Sequence, residues 1–251
     1  MALRKLAAGN WKMNGVRAML AELPPIAEAA RHAADRVDVA LYPPFTLLEE
    51  AAAQAGPILI GGQDCHDGQK GPHTGCISAD MLVDAGAAQV IVGHSERRRD
   101  QGETDAFVRA KAEAALAAGL VAIVCVGEPE SVRGAGRALL HVAGQLDGSV
   151  PPAGTADTLI VAYEPVWAVG TGRAAAPSDI TQMHDMIRAK LLELLGEAGT
   201  GVRILYGGSV TGDNAAEILA LPGVDGVLVG GASLSADKFV PIIEAAVTAS
   251  R

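Results

Sequence analysis

Three polar side chains, each placed shortly after an apolar run, could together move protons on a small substrate. They are Lys12, His94 and Glu164, and Pro165 holds Glu164 in an extended conformation. A carboxylate can take a proton from carbon, an imidazole can donate a hydrogen bond to a carbonyl, and a cation can stabilise the oxyanion that forms. Singly, each is more often a structural or solvated polar group. Together they predict enolisation of a carbonyl compound.

The residues after His94 indicate how its imidazole is used. Ser95, Glu96 and Arg97 are typical of a helix start, with Ser95 near the cap. The positive end of a helix dipole disfavours a proton on an adjacent ring. We therefore expect a neutral His94 that donates a hydrogen bond.

Two glycine pairs near the carboxyl end of the chain predict a phosphate site. Gly207-Gly208 is followed by Ser209, and Gly230-Gly231 comes about twenty residues later. Glycine lets backbone N–H groups approach an anion closely, and each pair precedes a predicted helix. One pair alone would more often be a tight turn, but two pairs on successive strand ends favour a phosphate.

A loop after Glu164 is predicted to act as a lid. Residues 165–173 begin with Pro165 and contain Gly170 and Gly172, while Trp167 and Val169 are apolar without a strand or helix to occupy. Most loops of this length only connect elements. A lid that excludes water would protect an enediolate phosphate from losing its phosphate.

Alternating strand and helix patterns must position these residues. Predicted strands cover residues 3–8, 37–41, 58–61, 90–92, 121–126, 159–162, 202–205 and 226–229. Predicted helices cover residues 16–34, 47–54, 104–118, 178–195, 214–219 and 237–249, with a weaker one at 133–147 that glycines interrupt. Eight strand–helix units predict a closed parallel (β/α)8 barrel over residues 1–251 as one domain, with a doubly wound open sheet as the alternative.

Composition excludes several classes of protein. The net charge of −9 argues against nucleic-acid binding, which requires a basic face, and no apolar run is long enough to span a membrane. Three cysteines without a Cys-x-x-Cys pair predict neither a secreted disulfide framework nor a zinc site. We therefore expect a soluble cytoplasmic protein that needs no cofactor and no metal.

The sequence resembles the triosephosphate isomerase family over most of its length. The resemblance lies in residues 10–234, in the stretches Asn10-Trp11-Lys12-Met13-Asn14, Gly93-His94-Ser95-Glu96-Arg97-Arg98, Tyr163-Glu164-Pro165-Val166-Trp167-Ala168, Tyr206-Gly207-Gly208-Ser209-Val210 and Gly230-Gly231-Ala232-Ser233-Leu234. It implies a TIM barrel that exchanges dihydroxyacetone phosphate with glyceraldehyde 3-phosphate in glycolysis and gluconeogenesis.

Roles for individual residues follow from this resemblance. It implies that Glu164 is the base, that His94 polarises the carbonyl, and that Lys12 and Asn10 stabilise the oxyanion, with Glu96 supporting the site. It also implies four residues that hold the phosphate through backbone N–H groups: Gly170, Ser209, Gly230 and Gly231.

The resemblance further implies a homodimer in which a loop around Thr74 enters the partner subunit. His73-Thr74-Gly75 matches the tip of that loop.

Two residues depart from the family pattern. Cys76 stands where an acidic residue usually pairs with an arginine, and Arg173 stands where the lid commonly ends in lysine.

The sequence leaves three other functions open. A paralogue acting on a four-carbon ketose phosphate would carry the same catalytic residues. A Schiff-base aldolase would need a desolvated lysine inside a strand, whereas Lys12 follows its strand. A barrel that only binds a ligand would have no reason to keep base, electrophile and cation together.

Overall fold

The strands of this protein consist mostly of aliphatic residues and are buried almost throughout, which is the pattern of a parallel sheet buried on both faces. The structure, a computed structural model, describes residues 3–168 and 175–250. It has eight strands: β1 Lys5–Asn10, β2 Val37–Tyr42, β3 Leu59–Gly62, β4 Gln89–Val92, β5 Val121–Val126, β6 Leu159–Tyr163, β7 Arg203–Tyr206 and β8 Gly226–Val229. All eight predicted strands are confirmed to within two residues at each end.

The strands close into one parallel barrel in chain order, with β8 paired to β1. Leu6 pairs with Gly226 at this closure. Gly226 has φ +158° and a Cβ there would lie 2.2 Å from the Leu6 carbonyl oxygen, so no side chain fits. The closed barrel is confirmed, and the open sheet kept as the alternative is wrong.

Helices surround the barrel within the described ranges. They are α1 Leu23–Ala33, α2 Phe45–Gln54, α3 Ala79–Asp84, α4 Ser95–Asp100, α5 Asp105–Ala117, α6 Glu130–Gly134, α7 Ala138–Ser149, α8 Pro177–Leu195, α9 Ala198–Gly201, α10 Ala215–Leu219 and α11 Ala236–Ala249. Two 3-10 helices, Arg17–Glu22 and Gly231–Leu234, precede α1 and α11. One cluster of buried side chains fills the barrel, and a larger one lies between the strands and the helices.

Two predicted helices differ from the observed ones because of backbone restrictions. The helix expected at 16–34 begins as a 3-10 helix and becomes α1 only at Leu23, because Pro24 and Pro25 lack the N–H groups of a helix interior. The helix expected at 133–147 is two helices, because Gly136 has φ +69° and ends the first. Helix α3 was not predicted; Ser78 caps it by accepting the Met81 N–H at 3.2 Å.

A buried histidine on α8 predicts a pH-dependent stability. The Nδ1 of His184 lies 2.9 Å from the Gly223 carbonyl oxygen and donates to it, while Nε2 is buried without a partner among the described residues. Burial lowers the pKa of His184 to about 4, from an ordinary 6.5. Between these values the unfolded chain binds the additional proton, so this contribution to stability is present above pH 6.5 and is lost as the pH falls towards 4. The shift corresponds to roughly 3 kcal/mol.

We therefore expect His184→Asn, which can still donate to Gly223, to flatten the pH dependence of the unfolding free energy between pH 4.5 and 6.5. Urea titrations at several pH values measure this slope. His32→Asn is the matched control, because His32 is largely exposed. Identical slopes for wild type and His184→Asn would contradict the assignment.

Candidate active site

A cavity of about 230 Å³ opens at the carboxyl ends of the strands, where the predicted site residues meet. Seven of them line it: Asn10, Lys12, His94, Glu164, Ser209, Gly230 and Gly231. Glu96 lines an adjoining cavity that shares Asn10, Lys12 and His94. Gly170 and Arg173 lie outside the described residues, as does most of the predicted lid.

Lys12 is held in an unusual backbone conformation. It has φ +55°, and it is the only non-glycine residue with positive φ in the described ranges. The side-chain oxygen of Asn10 accepts the Lys12 N–H at 3.0 Å, and Gln63 Nε2 donates to the Lys12 carbonyl at 2.8 Å. Gln63 also donates to the Tyr42 carbonyl at 2.9 Å, which ties this turn to the end of β2. Gln63 could not be predicted from the sequence, because its partners are backbone atoms of residues distant in the chain.

The ammonium of Lys12 lies at the mouth of the cavity. Its Nζ donates to Glu96 Oε1 at 2.8 Å, and both side chains are partly exposed. A Cβ built on Gly230 would lie 3.8 Å from the same Nζ, so the ammonium also stands beside the loop after β8. The arrangement brings a positive charge to the predicted phosphate loop of an acidic protein.

His94, rather than Ser95, is the N-cap of α4. Its Nδ1 accepts the Glu96 N–H at 3.2 Å, which requires an unprotonated Nδ1 and places the proton of a neutral ring on Nε2. Nε2 lies 2.8 Å from Glu164 Oε1. The predicted helix start is confirmed, but the cap moves by one residue because the ring reaches the N–H group.

Glu164 is buried at the exit of β6 and is held as a carboxylate. Its Oε1 accepts from His94, its Oε2 accepts the Ser95 N–H at 2.9 Å, and its own N–H donates to the Val126 carbonyl at 2.8 Å. Burial alone would raise the pKa of Glu164, but His94 and the Ser95 N–H outweigh it and hold the pKa below its usual range. The carboxylate is thus available as a base across neutral pH.

Two opposing effects act on the pKa of His94. Burial lowers it, whereas the charge and hydrogen bond of Glu164 raise it, and the net direction in this arrangement is upward. The upward part depends on the carboxylate staying beside the ring.

The two glycine loops line the same cavity as His94. A Cβ on Gly207 would lie 3.0 Å from Glu164 Cγ, and a Cβ on Gly208 would lie 2.2 Å from the Tyr206 hydroxyl oxygen. The loop after β7 is fixed by Asn214, which donates to the Ser209 carbonyl at 3.1 Å. Gly207 and Gly208 therefore have no room for a side chain at this part of the cavity.

The loop after β8 is fixed in a similar way by Ser233. Its hydroxyl donates to the Gly230 carbonyl at 2.7 Å, and its own carbonyl accepts the Trp11 indole N–H at 3.0 Å. The loops after β1 and β8 are thus joined behind the cavity.

The described start of the lid segment is anchored. Trp167 Nε1 donates to the buried Glu128 at 2.8 Å, and the Arg133 guanidinium lies over the indole, 4.5 Å from its centre. Residues 169–174 lie outside the described residues, so lid closure stays a prediction.

Two features are absent from residues 3–168 and 175–250. There is no group of three or more His, Cys, Asp or Glu side chains that could hold a metal ion. None of the helices in these ranges is long and apolar enough to cross a membrane.

Comparison with known protein families decides what this barrel is. A family model described as triosephosphate isomerase matches residues 5–246. The chain belongs to the triosephosphate isomerase family. The resemblance carried by the motifs is thereby confirmed, and the protein is an aldose–ketose isomerase with a phosphorylated sugar substrate.

Individual members of the triosephosphate isomerase family match almost the whole chain. The enzyme of Ruegeria sp. is 57% identical over 96% of this chain and 98% of its own, and that of Dinoroseobacter shibae is 59% identical over the same shares. The enzyme of Afipia carboxidovorans is 58% identical over 97% of this chain and 98% of its own. A crystal structure of triosephosphate isomerase from Bartonella henselae, 44% identical, superposes with a TM-score of 0.91 over 97% of this chain and 99% of that one.

Proposed function

We propose that this protein interconverts dihydroxyacetone phosphate and D-glyceraldehyde 3-phosphate through an enediolate, with Glu164 as the base. The observation that carries the proposal is the convergence of Glu164, His94 and Lys12 on one cavity walled by two glycine loops. Nothing observed favours the four-carbon ketose phosphate that the motifs leave open.

The proton balance of the reaction needs one base and one hydrogen-bond donor. The Glu164 carboxylate takes a proton from the hydroxymethyl carbon of dihydroxyacetone phosphate, and the C–H electron pair forms the double bond of the enediolate. The former carbonyl oxygen takes up negative charge, which the His94 Nε2–H stabilises by donating to it. Glu164 returns the proton to the former carbonyl carbon, while one hydroxyl proton moves between the two oxygens. No electron acceptor or net proton is required.

The neutral state of His94 is supported by its surroundings once the substrate is bound. Glu164 must leave His94 to reach the carbon, and its raising effect on the pKa of His94 leaves with it. Burial, the Lys12 charge and the Glu96 N–H on Nδ1 remain and favour the neutral ring, against the smaller opposing effect of the Glu96 carboxylate charge.

The remaining predicted residues bind the substrate in this proposal. Lys12 supplies a positive charge to both the phosphate and the enediolate, Asn10 fixes the Lys12 turn, and Glu96 orients the ammonium. Four backbone N–H donors hold the phosphate, those of Gly170, Ser209, Gly230 and Gly231. The cytoplasmic location stays a prediction.

Two measurements on the purified protein test the activity. Isomerisation of dihydroxyacetone phosphate should far exceed that of a four-carbon ketose phosphate in the same assay. In deuterated water, the product should carry solvent deuterium at the carbon that receives the proton. A product without solvent hydrogen would exclude exchange at a carboxylate base, and a preference for the four-carbon substrate would favour the paralogue.

We also propose that the protein is a homodimer in which the loop around Thr74 occupies the second cavity of its partner. That cavity, about 290 Å³, adjoins the active site and is lined by Met13 and Phe45, two exposed apolar side chains; Met13 is 97% exposed. Thr74 and Cys76 are themselves exposed on a loop without a helix or strand of its own. A partner loop would remove these apolar surfaces from water.

Sedimentation velocity is expected to give the mass of two chains at micromolar concentration. Thr74→Arg should shift the protein towards monomer and lower its activity, whereas Thr248→Arg, on the outer face of α11, should change neither. A fully active wild-type monomer would contradict the dimer.

A further inference from the structure

A buried glutamine on α7, outside the active-site cavity, contacts the turn on which the main chain of Glu164 rests. The side-chain oxygen of Gln145 accepts the Gly127 N–H at 2.7 Å. Gly127 directly follows β5, and none of the groups of the mechanism lies on α7. The contact joins the outer helix layer to the inner barrel at the level of the base.

Gly127 touches the main chain of Glu164 directly. A Cβ at Gly127 would lie 1.8 Å from the Glu164 carbonyl oxygen and 2.8 Å from its carbonyl carbon. The preceding residue, Val126, accepts the Glu164 N–H at 2.8 Å. The end of β5 and the turn after it therefore contact both the N–H and the carbonyl group of Glu164.

Glu164 is bordered by a cavity on each of two sides, so the position of its buried side chain depends on how well its main chain is held. One side is the active-site cavity, and the other is a cavity of about 320 Å³ lined by Gln145, Ser95 and Val166. In the observed arrangement the carboxylate bonds to His94 and the Ser95 N–H, and in the proposed reaction it must leave His94 to reach a substrate carbon. A movement of this kind reaches a reproducible end point only if the main chain from which it starts does not shift.

We propose that Gln145 is a positioning residue for the base: by accepting the Gly127 N–H it fixes the turn against which Glu164 is placed. This inference rests on the proposed role of Glu164. A 1 Å misplacement of a reacting group can cost on the order of 10²-fold in rate. Loss of the hydrogen bond between Gly127 and Gln145 should shift the Glu164 carboxylate by a fraction of this distance. We expect Gln145→Met, which keeps the length of the side chain but removes the acceptor oxygen, to lower kcat on the order of tenfold. KM should stay within about a factor of two, because the phosphate contacts are untouched.

A double-mutant cycle separates positioning from general structural damage. In the Glu164→Gln background the base is absent, so adding Gln145→Met should cause no further loss of the residual kcat. Gln145→Glu keeps an acceptor oxygen at the same place and should retain kcat within about fivefold. The matched control is Val142→Ala, which removes buried volume from α7 but keeps the hydrogen bond from Gly127 to Gln145; it should lower Tm and leave kcat unchanged.

Three results would overturn the proposal. They are a Gln145→Met enzyme with the kcat of the wild type, a full further loss in the Glu164→Gln background, and a Gln145→Glu enzyme as slow as Gln145→Met. If Gln145→Met does not fold, the same cycle with Gln145→Glu and Gln145→Asn decides, since Asn is too short to reach Gly127 and should be the slower. A wild type without isomerase activity would instead refute the proposed function.

Discussion

Glu164→Asp is expected to lower kcat about 10²-fold while KM stays within a factor of two, because the shorter side chain withdraws the carboxylate by about 1 Å. The main chain of Glu164 cannot move to compensate for the shorter side chain. Its N–H is bonded to Val126, and its carbonyl lies against Gly127 without room for a further atom. The carboxylate acts on the reacting carbon mainly in the transition state, so substrate binding should change little. Steady-state kinetics in both directions measures the loss.

Hydrogen exchange between solvent and the substrate carbon should slow in parallel with kcat. Glu217→Asp is the matched control, because Glu217 is exposed on α10 and lines neither the active-site cavity nor the adjoining one. Normal turnover by Glu164→Asp, or exchange at the original rate, would mean that another residue takes the proton. His94 would then be the first candidate, since its Nε2 lies 2.8 Å from the carboxylate.

The barrel and most of the site could be predicted because they depend on local patterns. Strands buried on both faces leave continuous apolar runs, and the first polar residue after each run marks the carboxyl end of the strand. Glu164 was found in this way, since parallel strands present those ends at one side of the barrel, whereas the role of Asn10 was implied by the family resemblance. The glycine pairs were found because only glycine allows such close backbone approach.

Residues that act through the main chain of distant segments could not be predicted in the same way. Gln63 holds the carbonyl of Lys12, which is 51 residues earlier in the chain, and Gln145 holds the N–H of Gly127. Nearly every residue has backbone N–H and carbonyl groups, so the sequence contains no pattern that identifies the partner of such a glutamine. His94 as the cap of α4 is a milder case, because histidine is not among the usual capping residues and only the ring position reveals it.

Lys12→Met is expected to lower kcat/KM by more than 10²–10³-fold, the usual cost of one lost transition-state donor, because a full charge is removed. The ammonium is placed to stabilise negative charge at two positions, the phosphate and the enediolate. It stands beside Gly230 in the predicted phosphate loop and at the mouth of the cavity that holds His94 and Glu164. Its loss also leaves the partly exposed Glu96 carboxylate unpaired beside an anionic substrate, which adds repulsion to the missing attraction.

The binding of glycerol 3-phosphate as a competitive inhibitor separates the two uses of the charge. If Lys12 holds the phosphate, Lys12→Met should weaken this inhibitor as well as turnover, and the weakening should be largest at low salt. Lys238→Met is the matched control, because Lys238 is exposed on α11 and should leave both quantities unchanged. Unchanged inhibitor affinity with slow turnover would assign the ammonium to the enediolate alone. In that case the phosphate would be held by the backbone N–H groups of the glycine loops without help from a side-chain cation.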